Sequence, residues 1–280
     1  MNMWYKLTTL DRRWIYLTLG LVVVMMQFVH LGQKITISRE AQNLYNFVDT
    51  LKAGDNILVA VDYDPAVMAE VHPMAIALMT HAFRKNVKVI VTVATAQGVG
   101  LAQSAVETAA RRTGKLEGTD WVFLGYNPAL VNAMQALGLE IRAGWNTDHK
   151  GKKLDDIPML RNVHSYKDIK LVCSFAGSGI VDYWVEFAHE RFNANTAAGV
   201  TGVMAARYMT YTQTGQLVGL LGGLNGAAEY ETLIDQAGGG VSGMDAQSAA
   251  HILIILFIII GNIAFLMVKR TEDRQKGKES

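Results

Sequence analysis

Apolar and polar positions along the middle of this chain follow two rhythms, short apolar runs and longer repeats at helical spacing. After Ser38, a residue type that caps helices, Ala41, Leu44, Phe47, Val48 and Leu51 recur three or four residues apart. With Glu40 in the first turn and Gly54 as a stop, an amphipathic helix is predicted. Apolar runs then begin at Ile57, Val87, Asp120, Lys170 and Ala198, and helical patterns separate them, reaching Lys85, Arg112, Leu137 and Arg191. Strands that alternate with helices imply a parallel sheet covered on both faces, because right-handed crossovers place the helices there. The prediction is therefore an α/β fold, a Rossmann-like, doubly wound, mostly parallel sheet of about five strands. The stretch Ile141–Asp168 breaks the rhythm and reads as a long loop over one edge of the sheet.

Both ends of the chain carry a third pattern. Trp14–Leu31 and Ala249–Val268 contain no Asp, Glu, Lys or Arg, and each is long enough to be read as a transmembrane helix. Gly32–Thr36 offers no small-x-small cleavage site, so the first segment reads as an anchor rather than a signal peptide. Lys6, Arg12 and Arg13 precede the first span, and Lys269, Arg270, Arg274, Lys276 and Lys278 follow the second. Basic flanks stay on the cytoplasmic side. The expected organisation is a cytoplasmic tail (1–13), a span (14–31), an extracytoplasmic α/β domain (32–248), a second span (249–268) and a cytoplasmic tail (269–280). In a bacterium this places the chain in the inner (plasma) membrane with its domain periplasmic or extracellular and the lipid bilayer as its first partner.

Composition adds mainly exclusions. The formal net charge of +1 and the scattered basic residues give no field that would gather nucleic acid. Cys173 is the one cysteine and forms no internal disulfide. It lies in an apolar run, where a thiol is more often inert filling than a nucleophile. No HExxH, CxxC, Gly-x-Ser-x-Gly or Gly-x-Gly-x-x-Gly motif occurs, and no histidine pair has zinc-site spacing, so no metal or cofactor is assigned.

In open α/β sheets ligands bind beyond the carboxyl ends of the strands. The expected ends carry Asp62 and Asp64, then Gln97, then Tyr126, then Gly177, Ser178 and Gly179. These seven are the candidate ligand-binding residues, for a small anion held by backbone N–H groups at the Gly177–Gly179 turn. Asp62 and Asp64 are also of a type that works as acid and base or holds a metal. Asp64 before Pro65 equally suits a helix cap.

The most unusual segment is Tyr211–Glu231. Gly215, Gly219 and Gly223 are spaced by four, and Gly222 and Gly226 repeat that interval, so a helix here would have bare stripes that let another backbone approach. These five glycines are the candidate oligomer contact, against packing of the same segment inside one chain. Asp62-Tyr63-Asp64-Pro65, Phe123-Leu124-Gly125-Tyr126 and the run Gly215–Leu224 resemble segments of a family of predicted bacterial two-span membrane proteins with an α/β domain and no assigned activity. The resemblance implies the architecture and assigns no mechanism. Two functions are expected from these features. The first is a non-catalytic subunit or scaffold of a membrane assembly, as a homo-oligomer or with a membrane protein partner. The second is an anionic-ligand-binding or enzymatic domain with its site at the carboxyl edge.

Overall fold

The structure is a computed structural model that describes residues 3–26, 28–29, 32 and 34–279, with side chains to Thr271. It divides into two units, residues 34–241 and residues 1–33 with 242–280. In chain order the described elements are α1 (Met3–Thr8), α2 (Arg12–Met25), α3 (Arg39–Thr50), β1 (Asn56–Asp62), α4 (Met68–Arg84), β2 (Lys88–Val93), α5 (Val99–Thr113), β3 (Trp121–Tyr126), α6 (Leu130–Ala136), α7 (Ile141–Gly144), β4 (Ile169–Ala176), α8 (Ile180–Trp184), β5 (Thr196–Val200), α9 (Gly202–Gln213), β6 (Leu220–Gly222), α10 (Gly223–Leu233) and α11 (Gly239–Glu279). A π-helical turn, Val185–Glu190, continues α8.

Unit 34–241 is built on a six-stranded, all-parallel sheet in the order β3-β2-β1-β4-β5-β6. The order reverses between β1 and β4, as in the doubly wound nucleotide-binding folds. Alternation along the strands divides the core. Ile57, Val59 and Val61 face one way with Val89, Val91, Leu171 and Cys173, and pack with residues of α3, α4, α5 and α10. Leu58 and Ala60 face the other way with Ile90, Val122 and Val172, beneath α6 and the chain from Ile141 to Ile169. Ala198 and Val200 extend this second layer with Tyr208 of α9.

Several expectations hold at residue level. Ser38 caps α3, its hydroxyl accepting the Ala41 N–H, and Ala41, Leu44 and Val48 form the helix's buried stripe. The five expected strands are present. The chain from Ile141 to Asp168 is a packed cover with α7 and three 3₁₀ turns, holding Trp145, Leu154 and Leu160 against the sheet.

The sixth strand is a correction. Tyr211–Glu231 is not one glycine-striped helix: α9 ends at Gln213, Gly215 takes a left-handed turn (φ +82°), and Leu220–Gly222 pairs with β5 before α10 begins. Four of the five glycines face their own chain, and Gly215 stands in open space. A Cβ on Gly219 would stand 2.6 Å from the Leu44 Cβ of α3, one on Gly222 2.7 Å from the Ala205 Cβ, and one on Gly226 2.8 Å from the Leu221 backbone. Gly223 (φ +60°) lies against Gly202. Bare backbone is needed here because an edge strand and three helices meet at close range.

In the other unit, one helix among the described residues is long and apolar enough to cross a membrane, within Gly239–Thr271 at a mean hydropathy of 2.7. Most of its Ile, Leu and Phe residues are exposed, from Ile252 and Ile255 to Ile263, Phe265 and Leu266, while Leu253, Phe257 and Ala264 form a partly covered stripe. A helix that is apolar on every side belongs in a protein core or a bilayer, and only 6% of this one's most apolar stretch is buried. The expected first span is met only in part. α2 covers 14 residues, about 21 Å at 1.5 Å per residue, short of the roughly 30 Å of hydrocarbon, and Gln27, His30 and Leu31 of that expectation lie outside the described residues.

Candidate functional site

The expected ligand residues do line up along the carboxyl edge of the sheet, but they are used unequally. Asp62 closes β1 and is 3% exposed. One carboxylate oxygen accepts the Trp184 indole N–H (2.8 Å) and the Ser174 hydroxyl (3.2 Å), and the other accepts the Ala94 backbone N–H (2.9 Å). Burial raises its pKa to about 6, against the pull of these three donors. Asp62 therefore ties β1, β2, β4 and α8 together at the point where the strand order reverses. Asp64 accepts the Ala66 N–H (2.9 Å) in a local turn; α4 begins only at Met68, with Val67 at its N-cap and no side-chain cap, so Asp64 does not cap that helix.

Gln97, Tyr126 and Ser178 are exposed on the loops after β2, β3 and β4. The crevice that these loops would frame is narrowed from within. A Cβ on Gly177 would stand 2.7 Å from Val67, and one on Gly98 2.9 Å from the Tyr63 carbonyl oxygen, so the loops after β1, β2 and β4 are packed on one another. Gly179 precedes α8, where Asp182 already sits in the first turn and binds Arg207. An open depression of about 260 Å³ remains beside them, lined by Ala94, Asn127, Leu130 and Ile180. Asn127 is committed there, accepting the Ala129 N–H and donating to the Gly144 carbonyl.

Two polar groupings lie outside the expected set. Glu229 of α10 is 4% exposed and borders a cavity of about 180 Å³ with Ser38, Glu40, Asn225, Met209 and Leu220. Ser38 and Asn225 both donate to its carboxylate, and burial raises its pKa in spite of them. The second grouping is Glu117, Asp148 and His149, which offer one ligand atom each within 4.8 Å of one another beside a cavity of about 220 Å³. Neither was legible as a site. Glu229 sits inside the glycine-rich segment, and Glu117 stands 31 residues before Asp148 in a stretch that reads only as a turn.

The remaining titratable groups are structural. His72 shares a 2.6 Å hydrogen bond with Tyr63, and His81 lies 3.0 Å from the Tyr230 hydroxyl with its pKa lowered to about 4 by burial. Cys173 is fully buried, and burial pushes its thiol well above the usual range. At the start of α11 the buried Glu231 accepts three backbone N–H groups, from Gly238 (2.9 Å), Gly240 (3.0 Å) and Val241 (2.8 Å). The run Gln236–Gly240, which reads in sequence as a flexible lead, is held at its far end by this carboxylate. No protein-family model, curated protein or solved structure matches the chain.

Proposed function

We propose that this chain is a membrane-anchored α/β domain serving as a non-catalytic subunit of a membrane protein assembly. The observation that supports the reading best is α11, a long apolar helix with only 6% of its most apolar stretch buried, whose first turn is held in the domain by Glu231. A second span within Trp14–Leu31 would complete the anchor, and the basic flanks at both ends favour cytoplasmic tails with the domain outside the cytoplasm. The resemblance to predicted bacterial two-span proteins is in keeping with this arrangement. Assembly is tested by extracting the full chain in mild detergent and measuring particle mass by light scattering. A mass of two or more copies, or a co-purifying membrane partner in fixed ratio, is expected, and a strictly monomeric particle overturns the reading.

A second reading is favoured by the exposure of Gln97, Tyr126 and Ser178 beside the 260 Å³ depression: a small anionic molecule bound at the carboxyl edge. Thermal-shift measurements with phosphates, sugar phosphates and carboxylates test it, and no stabilisation by any of them removes it.

A further inference from the structure

We propose that Glu117, Asp148 and His149 form a binding site for one divalent d-block cation such as Zn²⁺, open to the cavity beside β3. The proposal stands independently of the assembly reading. Glu117 lies in the turn before β3, and Asp148 and His149 in the cover that follows α7. The turn geometry brings them together. The Gly118 N–H donates to the Trp121 carbonyl (2.7 Å), and the His149 Cβ lies 3.3 Å from where a Cβ on Gly125 (φ +81°) would stand.

Each of the three side chains has one polar atom tied to the protein and another left over. Asp148 accepts the N–H groups of Lys150 and Lys152 (both 2.8 Å) on one oxygen, and its second oxygen is given no partner by these bonds. His149 holds Nδ1 3.0 Å from the Phe123 carbonyl oxygen, which fixes the proton there in the neutral ring and leaves the lone pair on Nε2. Glu117 binds the Lys150 ammonium through Oε2 (2.5 Å), while its Oε1 is buried without any hydrogen-bond partner. That oxygen is the strongest indication. The Glu117 side chain as a whole is 27% exposed, but this oxygen is covered, and a covered carboxylate oxygen without a hydrogen bond is costly, a cost that an ion would offset. Oε1 also lies 3.9 Å from His149 Nδ1, so the ring and the carboxylate already share one small volume.

Bonds of about 2.0–2.2 Å to a tetrahedral ion hold ligand atoms about 3.4 Å apart. The present separations are up to 4.8 Å, so binding draws the ligand atoms together by up to about 1.4 Å. One imidazole with two carboxylates suits Zn²⁺, Co²⁺ or Mn²⁺ better than an oxygen-only cation such as Ca²⁺. Three protein ligands leave a fourth position, and Glu117 and Asp148 both line the 220 Å³ cavity, so that position faces solvent. Lys150 holds the second Glu117 oxygen, the role an outer partner of a ligating carboxylate plays. Lys150 and Lys152 both line the same cavity.

The test uses the full chain in detergent, stripped with a chelator and titrated with Zn²⁺ against a chromophoric competitor. One equivalent per chain is expected, with Co²⁺ giving visible d–d bands at the same stoichiometry. Glu117→Gln and His149→Gln should each weaken Zn²⁺ binding at least tenfold while keeping the metal-free melting temperature within a few degrees. His164→Gln, at the exposed His164–Glu140 pair elsewhere on the domain, should leave binding unchanged. The two test variants alter different loops, so the failure of one to fold leaves the other to decide. No stoichiometric binding by the unaltered chain overturns the proposal, as does binding that survives both substitutions.

Discussion

Replacing Glu231 by Gln tests how the root of α11 is held. The side chain is 4% exposed, and its two oxygens serve three amides, Oε1 the Gly240 N–H and Oε2 those of Gly238 and Val241. A glutamine keeps one oxygen and turns an NH₂ donor toward the other side. In its better orientation the oxygen stays with Gly238 and Val241, and the Gly240 N–H faces another donor. Leaving one buried amide unsatisfied costs about 1–3 kcal/mol. Loss of the negative charge at a helix N-terminus adds about 0.3–1 kcal/mol. The sum, about 1.3–4 kcal/mol, corresponds to a roughly 10- to 1,000-fold rise in local opening at 1.36 kcal/mol per decade. Hydrogen exchange read by mass spectrometry on the full chain in detergent, over a peptide covering Gly238–Val241, measures this directly. Loss of protection there with β1 and β4 still protected is expected. Unchanged protection in the variant would show that Glu231 does not hold the helix start.

Three further outcomes follow from the same geometry. Because burial raises the Asp62 pKa from 3.8 to about 6, the folded state binds its proton more tightly than the unfolded one, so this group's contribution falls as pH rises from about 4 to about 6, by about 3 kcal/mol. The difference in unfolding free energy between the unaltered chain and Asp62→Asn should change across that window, and a constant difference would refute the assignment. Gly219→Ala, whose Cβ would meet Leu44 and the Glu40 carbonyl, should cost about 1–3 kcal/mol by overpacking, whereas Gly215→Ala, with open space around a left-handed residue, should cost only about 1–2 kcal/mol. Equal particle mass for both variants is expected, and dissociation by Gly219→Ala without loss of stability would return that glycine to an intersubunit role. A cysteine at exposed Leu116 should react with a membrane-impermeant maleimide in intact cells and one at Ser280 only after lysis, against a background from buried Cys173 that stays unreactive; the reverse pattern would overturn the orientation.

What was legible in the sequence is what periodicity encodes. The runs at Ile57, Val87 and Lys170 are apolar on both faces of the strand, and only a sheet covered on two sides accommodates that, so the parallel sheet followed from them. Ser38 announced α3 because a cap acts over three residues. β6 was hidden for the opposite reason: three residues, Leu220–Gly222, carry no period, and the glycines around them imitate a small-residue helix stripe. Their spacing by four reflects separate close approaches to Leu44, Ala205, Gly202 and Leu221, which no local pattern reveals. At the carboxyl edge the residue types were placed where the order of strands predicted, yet Asp62 proved to be a buried tie and Asp64 a local-turn residue. Residue type at a strand end fixes position and leaves hydrogen-bond commitment to the fold.

The domain's treatment of its other buried acids separates Glu117 from them. Asp62 faces an amide, a hydroxyl and an indole, Glu229 a hydroxyl and a carboxamide, and Glu231 three amides. None of the three has a basic side chain among these donors. In each case neutral donors offset desolvation, and both oxygens are used. Glu117 departs from this pattern twice, with a lysine on one oxygen and nothing on the other. The difference lies in what stands near the free oxygen, the imidazole of His149, whose Nδ1 at 3.9 Å is turned to the Phe123 carbonyl, and the carboxylate of Asp148. A cation would complete that arrangement with three ligands, which is why the site is proposed for a metal rather than read as another structural tie.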